Sequence, residues 1–279
     1  MKAILVPTDF SDCADNAVSY ATGLALKERS KILLCHSLEF TLTDILYNLV
    51  TPASKSFRKA ATQKLQQMVS DLEKKGVKAD FYIRDYSLKK TVLSLAADKM
   101  PEYIVMGTRG AGGLKKIFQG TNTSKIMERA RCPVIIVPET ARYDGMRHIT
   151  YCTDYQKADF STLKMLVHFA RNHEAHVNVL HVYEGDHLES EKQKMRDMVA
   201  EVNGTLNYEN ISYQVLMVSD PLTKFDEYIS AYSTSLLVMS TGHRSLMDKL
   251  LDTSETKELS YHIKIPLMVF HHAKEIIVI

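Results

Sequence analysis

The sequence lacks an excess of charge of either sign, and this lack limits the partners that it can be expected to bind. Lysine and arginine total 35 against 33 aspartate and glutamate residues in 279, a net charge of +2. So small a surplus gives no argument for binding to nucleic acid or to an anionic membrane, since both attract strongly basic surfaces. We therefore expect neither partner.

Paired cysteines and long apolar runs are also missing. The four cysteines are Cys13, Cys35, Cys132 and Cys152, and none forms a C-x-x-C pair, so neither a zinc ribbon nor a redox dithiol is indicated. No apolar run approaches the roughly 20 residues of a membrane span, and the first residues reach Asp9 too soon for a secretory signal. These absences predict a cytoplasmic protein with free, mostly buried thiols.

What the sequence does contain is a long internal repeat. Residues 4–9 (ILVPTD) match residues 149–154 (ITYCTD), and the same offset of 145 relates His36 to His181. A shorter offset of 133 relates residues 133–137 (PVIIV) to residues 266–270 (PLMVF). A period this long indicates duplicated domains rather than a solenoid. We predict one domain over residues 1–140 and a second, diverged copy over 146–279, joined by the polar stretch around 139–147.

Each half alternates between strand and helix patterns. The helical pattern over residues 54–76 has one apolar face, whereas residues 38–53 lack periodicity and are predicted to form a loop or lid. Such alternation predicts an α/β fold with a doubly wound parallel sheet and helices on both faces. The strands of the first half are predicted near residues 2–8, 31–37, 79–84, 102–107 and 133–138.

A glycine-rich segment follows the fourth predicted strand. It reads Gly107-Thr-Arg-Gly110, nine further residues and Gly120-Thr121, and a helical pattern runs from Asn122 to Arg131. Glycine lets backbone N–H groups approach an anion closely, and a helix start adds unpaired donors. The segment therefore predicts a phosphate-binding loop, with a plain surface loop as the alternative.

Two better-known glycine motifs do not fit this segment. A Walker A loop needs Gly-Lys-Ser/Thr, but the corresponding residues are Gly112 and Gly113. A dinucleotide fingerprint needs G-x-G-x-x-G, but Lys115 stands at its third glycine. The observed spacing, G-x2-G-x9-G-[ST], instead resembles the ATP-binding motif of the universal stress protein family.

The resemblance implies a strand order of 3-2-1-4-5 in each half, so that the ends of strands one and four meet in one crevice. It also implies ATP, or AMP in its place, as the ligand, with Mg²⁺ or Mn²⁺ bound through the phosphates. Asp9 then matches the residue that binds adenine or ribose, beside Pro7, Thr8 and Met106, and Ser37 offers its backbone to adenine. The matching ribose and phosphate residues are Gly107, Arg109, Gly110, Gly120, Thr121, Asn122 and Thr123.

Structural roles remain open for several of these residues. Asp9 could cap the helix that begins near Ser11, Thr121 and Thr123 could be helix caps, and Arg109 could be a solvated loop cation. His36 and His181 are interpreted as packed or hydrogen-bonded strand residues. In the second half Ser240 stands for Gly107 and Asp252 for Gly120, which predicts one nucleotide per chain.

Three functions are compatible with this sequence. The leading hypothesis is a cytoplasmic universal stress protein that binds ATP in its first domain and has a regulatory or protective role. The second is a nucleotide-dependent enzyme, a slow ATPase or phosphotransferase, although no activated nucleophile is evident. The third is a nucleotide-free interaction module.

The last strand of each half is short, apolar and preceded by a proline. Exposed edges of this kind invite pairing, so we predict that the two last strands lie side by side within one chain. The choice of these strands follows the resemblance, since single domains of the universal stress protein family commonly dimerise through the last strand of each sheet. A homodimer through these strands, or through the apolar C-terminal tail 275–279, is the alternative.

Overall fold

Strands and helices alternate throughout the first half of the computed structural model, which describes residues 1–38, 52–108, 122–218, 227–241 and 264–271. The elements of the first half are β1 (Ala3–Pro7), α1 (Asp12–Glu28), β2 (Lys31–Ser37), α2 (Pro52–Lys74), β3 (Ala79–Arg84), α3 (Leu88–Lys99), β4 (Tyr103–Gly107), α4 (Asn122–Met127) and β5 (Val134–Val137).

The second half repeats this order. Its elements are β6 (His148–Cys152), α5 (Lys157–His173), β7 (His176–Tyr183), α6 (Leu188–Leu206), β8 (Ile211–Met217), β9 (Leu236–Ser240) and β10 (Leu267–Phe270), with helical residues 227–231 before β9. The domain limits themselves stay a prediction.

The first helix of each half is equally long and ends in the same way. α1 and α5 both span 17 residues and are related by the offset of 145. Each is followed by a residue in the left-handed conformation, Arg29 with φ 54° and Glu174 with φ 53°. The duplication predicted from sequence therefore extends to the details of helix termination.

The described strands form one ten-stranded sheet of order β3-β2-β1-β4-β5-β10-β9-β6-β7-β8. This confirms the order 3-2-1-4-5 in the first half, and the second half follows in mirrored order. All pairs within a half are parallel. The two predicted sheets are thus joined into one.

The joint between the halves is an antiparallel pair of β5 and β10. Ile135 faces Met268 in this pair, and the offset of 133 makes these two residues equivalent, so a pseudo-twofold axis passes between them. The predicted side-by-side arrangement of the last strands is confirmed. Because each last strand has a neighbour on both edges, a homodimer through these strands has no free edge to use.

Several element boundaries differ from those predicted. The helix expected over 122–131 ends at Met127, where Arg129 N donates to Ile126 O only three residues back (3.1 Å) and so tightens the last turn. The strand expected over 133–138 is shorter because both of its end residues are prolines, which have no N–H for the ladder.

The helix expected over 54–76 spans Pro52–Lys74, so it begins inside the segment predicted as a loop or lid. Residues 39–51, the greater part of that segment, lie outside the described residues.

Apolar side chains cover both faces of the sheet. One buried cluster contains residues of α1, α2, α5 and α6 and runs across both halves, and a second cluster contains residues of α3 and α4 on the opposite face. The described helices include none that is long and apolar enough to span a membrane. The carboxyl ends of the strands are the edges left for polar residues.

Candidate functional site

The two central strands of the first half separate near their carboxyl ends. The ladder between β1 and β4 ends at the pair Leu5–Ile104. Each strand continues to pair with its outer neighbour, β1 with β2 as far as Pro7–Cys35 and β4 with β5 as far as Gly107–Val137. A cleft therefore opens between the ends of β1 and β4, at the point where the strand order reverses and where α/β sheets bind ligands.

The residues after each strand maintain this separation. Thr8 N donates to Cys35 O on β2 (2.9 Å), whereas Thr108 N donates to Val137 O on β5 (3.1 Å). The segments that follow β1 and β4 are thus held on opposite sides of the cleft. Of the predicted site residues, Pro7, Thr8 and Met106 are buried beside it, Ser37 and Gly107 are half-buried, and Asp9 is exposed at its mouth.

A tight turn carries Asp9 from β1 into α1. Thr8 Oγ1 accepts from Phe10 N (3.0 Å), and Phe10 adopts the left-handed conformation with φ 64°. Asp9 Oδ1 accepts from Ser11 N (3.1 Å) and from Ser11 Oγ (2.5 Å), while Ser11 Oγ accepts from Ala14 N at the start of the helix. Ser11 is therefore the N-cap of α1, and Asp9 holds the Ser11 backbone and side chain in place instead of capping the helix itself.

Gly107 has a packing role that the sequence did not reveal. A Cβ at Gly107 would lie 2.5 Å from Cys13 O and 2.8 Å from Cys13 Sγ. The thiol of Cys13 also donates to Thr108 O. The first turn of α1 thus lies directly against the end of β4, and glycine is needed there for this close approach, whether or not a ligand is bound.

Ser37 and His36 close the β2 side of the cleft. The Ser37 hydroxyl donates to Tyr86 O, and His36 Nδ1 donates to Thr8 O (2.8 Å) because a carbonyl can only accept. The His36 ring also contacts the Phe10 ring at 4.5 Å between centroids. His36 is thus a hydrogen-bonded, packed strand residue, as predicted.

The predicted phosphate-binding residues are only partly described. Arg109, Gly110, Gly120 and Thr121 lie outside the described residues. Asn122 is the first residue of α4, and Thr123, half-buried, is the second. α4 follows β4 in the chain and packs against α3. Its first turn therefore lies on the same face of the sheet as α3.

The second half has the same turn, but its two central strands, β6 and β9, remain paired closer to their carboxyl ends. Tyr155 N donates to Thr153 Oγ1 (3.1 Å), Tyr155 has φ 57°, and His181 Nδ1 donates to Thr153 O (2.7 Å), which matches the turn of the first half. The ladder between β6 and β9, however, includes one further pair, Tyr151–Val238. The strands of the second half therefore stay together closer to their ends.

A carboxylate also lies at this second mouth. Glu191 Oε2 is 3.3 Å from His181 Nε2, and Glu191 O accepts from Tyr155 OH at 3.2 Å. Burial raises the pKa of Tyr155, so its hydroxyl is a stable donor. The sequence offers two hints of this cluster: His181, which the offset of 145 relates to His36, and the aromatic residues at the equivalent positions Phe10 and Tyr155.

The thiols have the expected state. Cys13, Cys35 and Cys152 are free and buried, and Cys132 is half-buried. Burial raises the pKa of Cys35 and of Cys132 to about 12, so neither forms a thiolate near neutral pH. The described residues contain no group of three or more histidine, cysteine or acidic side chains that could hold a metal ion.

Comparison with known proteins agrees with this geometry. Universal stress protein YxiE of Bacillus subtilis is 27% identical over 143 residues, 48% of this chain and 97% of that protein. Universal stress protein MJ0531 of Methanocaldococcus jannaschii is 26% identical over 141 residues, 49% of this chain and 81% of that protein. Each covers about half of the chain, as expected for a relative of one domain.

The fold is shared over the whole chain. A universal stress protein from Archaeoglobus fulgidus superposes with a TM-score of 0.68 and 19% identity, covering 96% of both chains. The model of the universal stress protein family matches twice, over residues 1–138 and 145–271. The chain therefore belongs to the universal stress protein family, as a tandem two-domain member.

Proposed function

We propose that the first half of this protein binds ATP, or AMP in its place, and that it has a regulatory or protective role in the stress response in the cytoplasm. The observation that carries the proposal is the early end of the β1–β4 ladder at Leu5–Ile104, which opens a cleft between Asp9 and the glycine-rich segment that begins at Gly107.

In this proposal the cleft receives the base and ribose, and the glycine-rich segment receives the phosphates. Asp9 accepts hydrogen bonds from the adenine or the ribose, and the backbone at Ser37 contacts adenine. Pro7, Thr8 and Met106 line the cleft. The turn with Gly107, Arg109 and Gly110 approaches the ribose and first phosphate, and the remaining phosphate contacts come from Gly120, Thr121, Asn122 and Thr123.

Mg²⁺ or Mn²⁺ would enter with the nucleotide and would neutralise phosphate charge. In this proposal the phosphates supply most of the coordination of the metal ion.

The second half is proposed to bind no nucleotide. Its strands β6 and β9 stay paired one step further, and Glu191 lies with His181 and Tyr155 at the corresponding mouth. Because Glu191 also accepts from Lys194 Nζ at 2.8 Å, like charge is instead expected from the sequence. Ser240 and Asp252 stand where the first half has Gly107 and Gly120, and a carboxylate at residue 252 would meet a phosphate with like charge. We therefore propose one nucleotide per chain.

Mass spectrometry of the nucleotide released from freshly purified protein tests the proposal. ATP or AMP in near-stoichiometric amount is the expected result. Protein that carries no nucleotide and binds none in calorimetric titration would instead favour the interaction module.

A separate assay addresses turnover. Multiple rounds of ATP hydrolysis, lost in Gly120→Asp but retained in the surface control Gly204→Asp, would favour the enzymatic hypothesis. Gly204 is a suitable control because no atom lies within 4 Å of the position that an added Cβ would take there.

A further inference from the structure

The last turns of α1 and α5 touch across the pseudo-twofold axis. Glu28 and His173 are equivalent residues, the last of two helices related by the offset of 145. His173 Nε2 lies 2.9 Å from Glu28 Oε1, and the two side chains are only 1% and 2% exposed. We call residues 27–29 and 172–174 the axial contact. In a symmetric pair of identical halves, the residue at this position would touch its own copy.

The buried pair is poorly satisfied as a hydrogen-bonding group. Tyr103 OH donates to Glu28 Oε1 at 3.4 Å, but Glu28 Oε2 and His173 Nδ1 have no hydrogen-bond partner among the described residues. Burying two polar groups costs desolvation that their mutual contact only partly offsets, so such a pair often adds no net stability over apolar residues. Stability alone therefore does not explain a glutamate and a histidine at this position.

The residues next to Glu28 and His173 also differ between the two halves, and their charges are complementary across the axis. Lys27 Nζ lies 3.9 Å from Glu174 Oε1, and the residue of the first half equivalent to Glu174 is Arg29. Two copies of the first half, paired in this way, would place Lys27 against Arg29 and Glu28 against Glu28. Both contacts bring like charges together, and the second does so out of solvent.

Two copies of the second half would also lose contacts. His173 would face His173, and Asn172 would replace Lys27 opposite Glu174. The edge-to-face contact of Tyr103 with Phe169, at 5.4 Å between centroids, would disappear as well, because the residue equivalent to Tyr103 is Leu236. Only a first half paired with a second half has both opposite charges and an aromatic contact at the axis.

We propose that the axial contact selects the partner of each half: the face of the first half formed by the end of α1 fits the second half and rejects a second copy of itself. This proposal concerns assembly and does not depend on nucleotide binding. The duplication has thereby replaced a surface that could pair with itself by two surfaces that fit each other.

A double-mutant cycle in the full chain tests the complementarity. Glu28→His and His173→Glu each place like groups across the axis and should lower the melting temperature by roughly 6–15 °C. The swapped chain, Glu28→His with His173→Glu, restores opposite groups and should recover more than half of that loss. A swapped chain that does not fold, or that melts no higher than the weaker single variant, would overturn the proposal.

The exposed pair Lys192–Glu189 on α6 provides the matched control, because it lies outside the axial contact and its side chains are 45% and 78% exposed. Reversing its charges should change the melting temperature by only about 2 °C or less. Losses as large as those at Glu28 and His173 would show that burial is not the cause, and would count against the proposal.

Partner selection itself is measured on a chain in which residues 28 and 173 are identical. Glu28→Gln with His173→Gln removes the repulsion between equal halves while keeping groups that can hydrogen-bond. After unfolding and refolding at high concentration, this chain should give a larger share of two-chain species by light scattering than the wild type or the swapped chain. Equal shares in all three would refute partner selection.

Discussion

Replacement of Gly107 by alanine should destabilise the protein even without a ligand. The added Cβ would lie 2.5 Å from the carbonyl oxygen of Cys13 and 2.8 Å from its sulfur, well inside van der Waals contact. The oxygen belongs to the backbone of the first turn of α1, so a side-chain rotation cannot relieve the clash. Either the helix or the end of β4 has to move.

The size of the effect follows from measured overpacking in protein cores. Forcing an extra methyl group into a packed site costs about 1–3 kcal/mol, and 1 kcal/mol lowers the melting temperature of a protein of this size by roughly 2–4 °C. We therefore expect Gly107→Ala to melt roughly 4–8 °C below the wild type, for a cost of about 2 kcal/mol.

Gly204→Ala is the matched control, since it is the same chemical change in a different setting. Gly204 lies within α6, and nothing is found within 4 Å of the position of an added Cβ. Alanine is the better helix former by about 0.5–1 kcal/mol, so this variant should melt slightly above the wild type. Thermal melts followed by circular dichroism compare all three chains.

Cys13→Ala identifies the atom responsible. Removing the sulfur from the Gly107→Ala chain relieves only the 2.8 Å contact, so we expect partial recovery. Full recovery would assign the constraint to the thiol, and a Gly107→Ala chain as stable as the wild type would refute the packing argument altogether.

Four further outcomes are expected. Gly120→Asp should weaken ATP binding roughly 30- to 150-fold in calorimetry, because it places a carboxylate where a strong phosphate contact is proposed; unchanged affinity would exclude the assignment. Titration of the wild-type chain should give one ATP site, and two equal sites would contradict the proposed inactivity of the second half. Asp159→Ala should cost about 3 kcal/mol or more in urea unfolding, because the buried carboxylate accepts from Tyr151 OH (2.8 Å), Thr153 Oγ1 (2.5 Å) and Gln156 N (3.1 Å); a cost below about 1 kcal/mol would mean that water replaces these bonds. Deletion of residues 274–279 should abolish any dimer of tandem chains that forms through the apolar tail, and a dimer that persists in light scattering would exclude that contact.

The fold could be predicted from the sequence because its signals are local or repeated. Short β-branched runs alternate with helical patterns, and the offsets of 145 and 133 relate one half to the other, so the α/β class and the duplication followed from the sequence pattern. The strand order and the pairing of the last strands were implied by the resemblance to the universal stress protein family. Boundaries were less accurate where a single hydrogen bond or proline decides them, as at Met127 and Val134.

The site was only partly predictable, since its decisive features depend on contacts between distant segments. The start of α1 near Ser11 is local and was predicted, although Ser11 caps the helix and Asp9 only supports that cap. The close approach of Cys13 to Gly107 and the length of the β1–β4 ladder are tertiary properties. The sequence alone does not show that Val6 lies beyond the last β1–β4 pair, whereas its equivalent, Tyr151, is still paired with β9. Arg109, Gly110, Gly120 and Thr121 lie outside the described residues, and their roles stay predictions.

The antiparallel joint of β5 with β10 also determines which way each half faces. Strands within a half run parallel, so their carboxyl ends share one edge of the sheet, and reversing direction at Ile135–Met268 puts the two sets of carboxyl ends on opposite edges. The mouth beside Asp9 and the mouth beside Asp154 thus open on opposite sides of the molecule. A large partner docked over one mouth would therefore leave the other mouth in solvent.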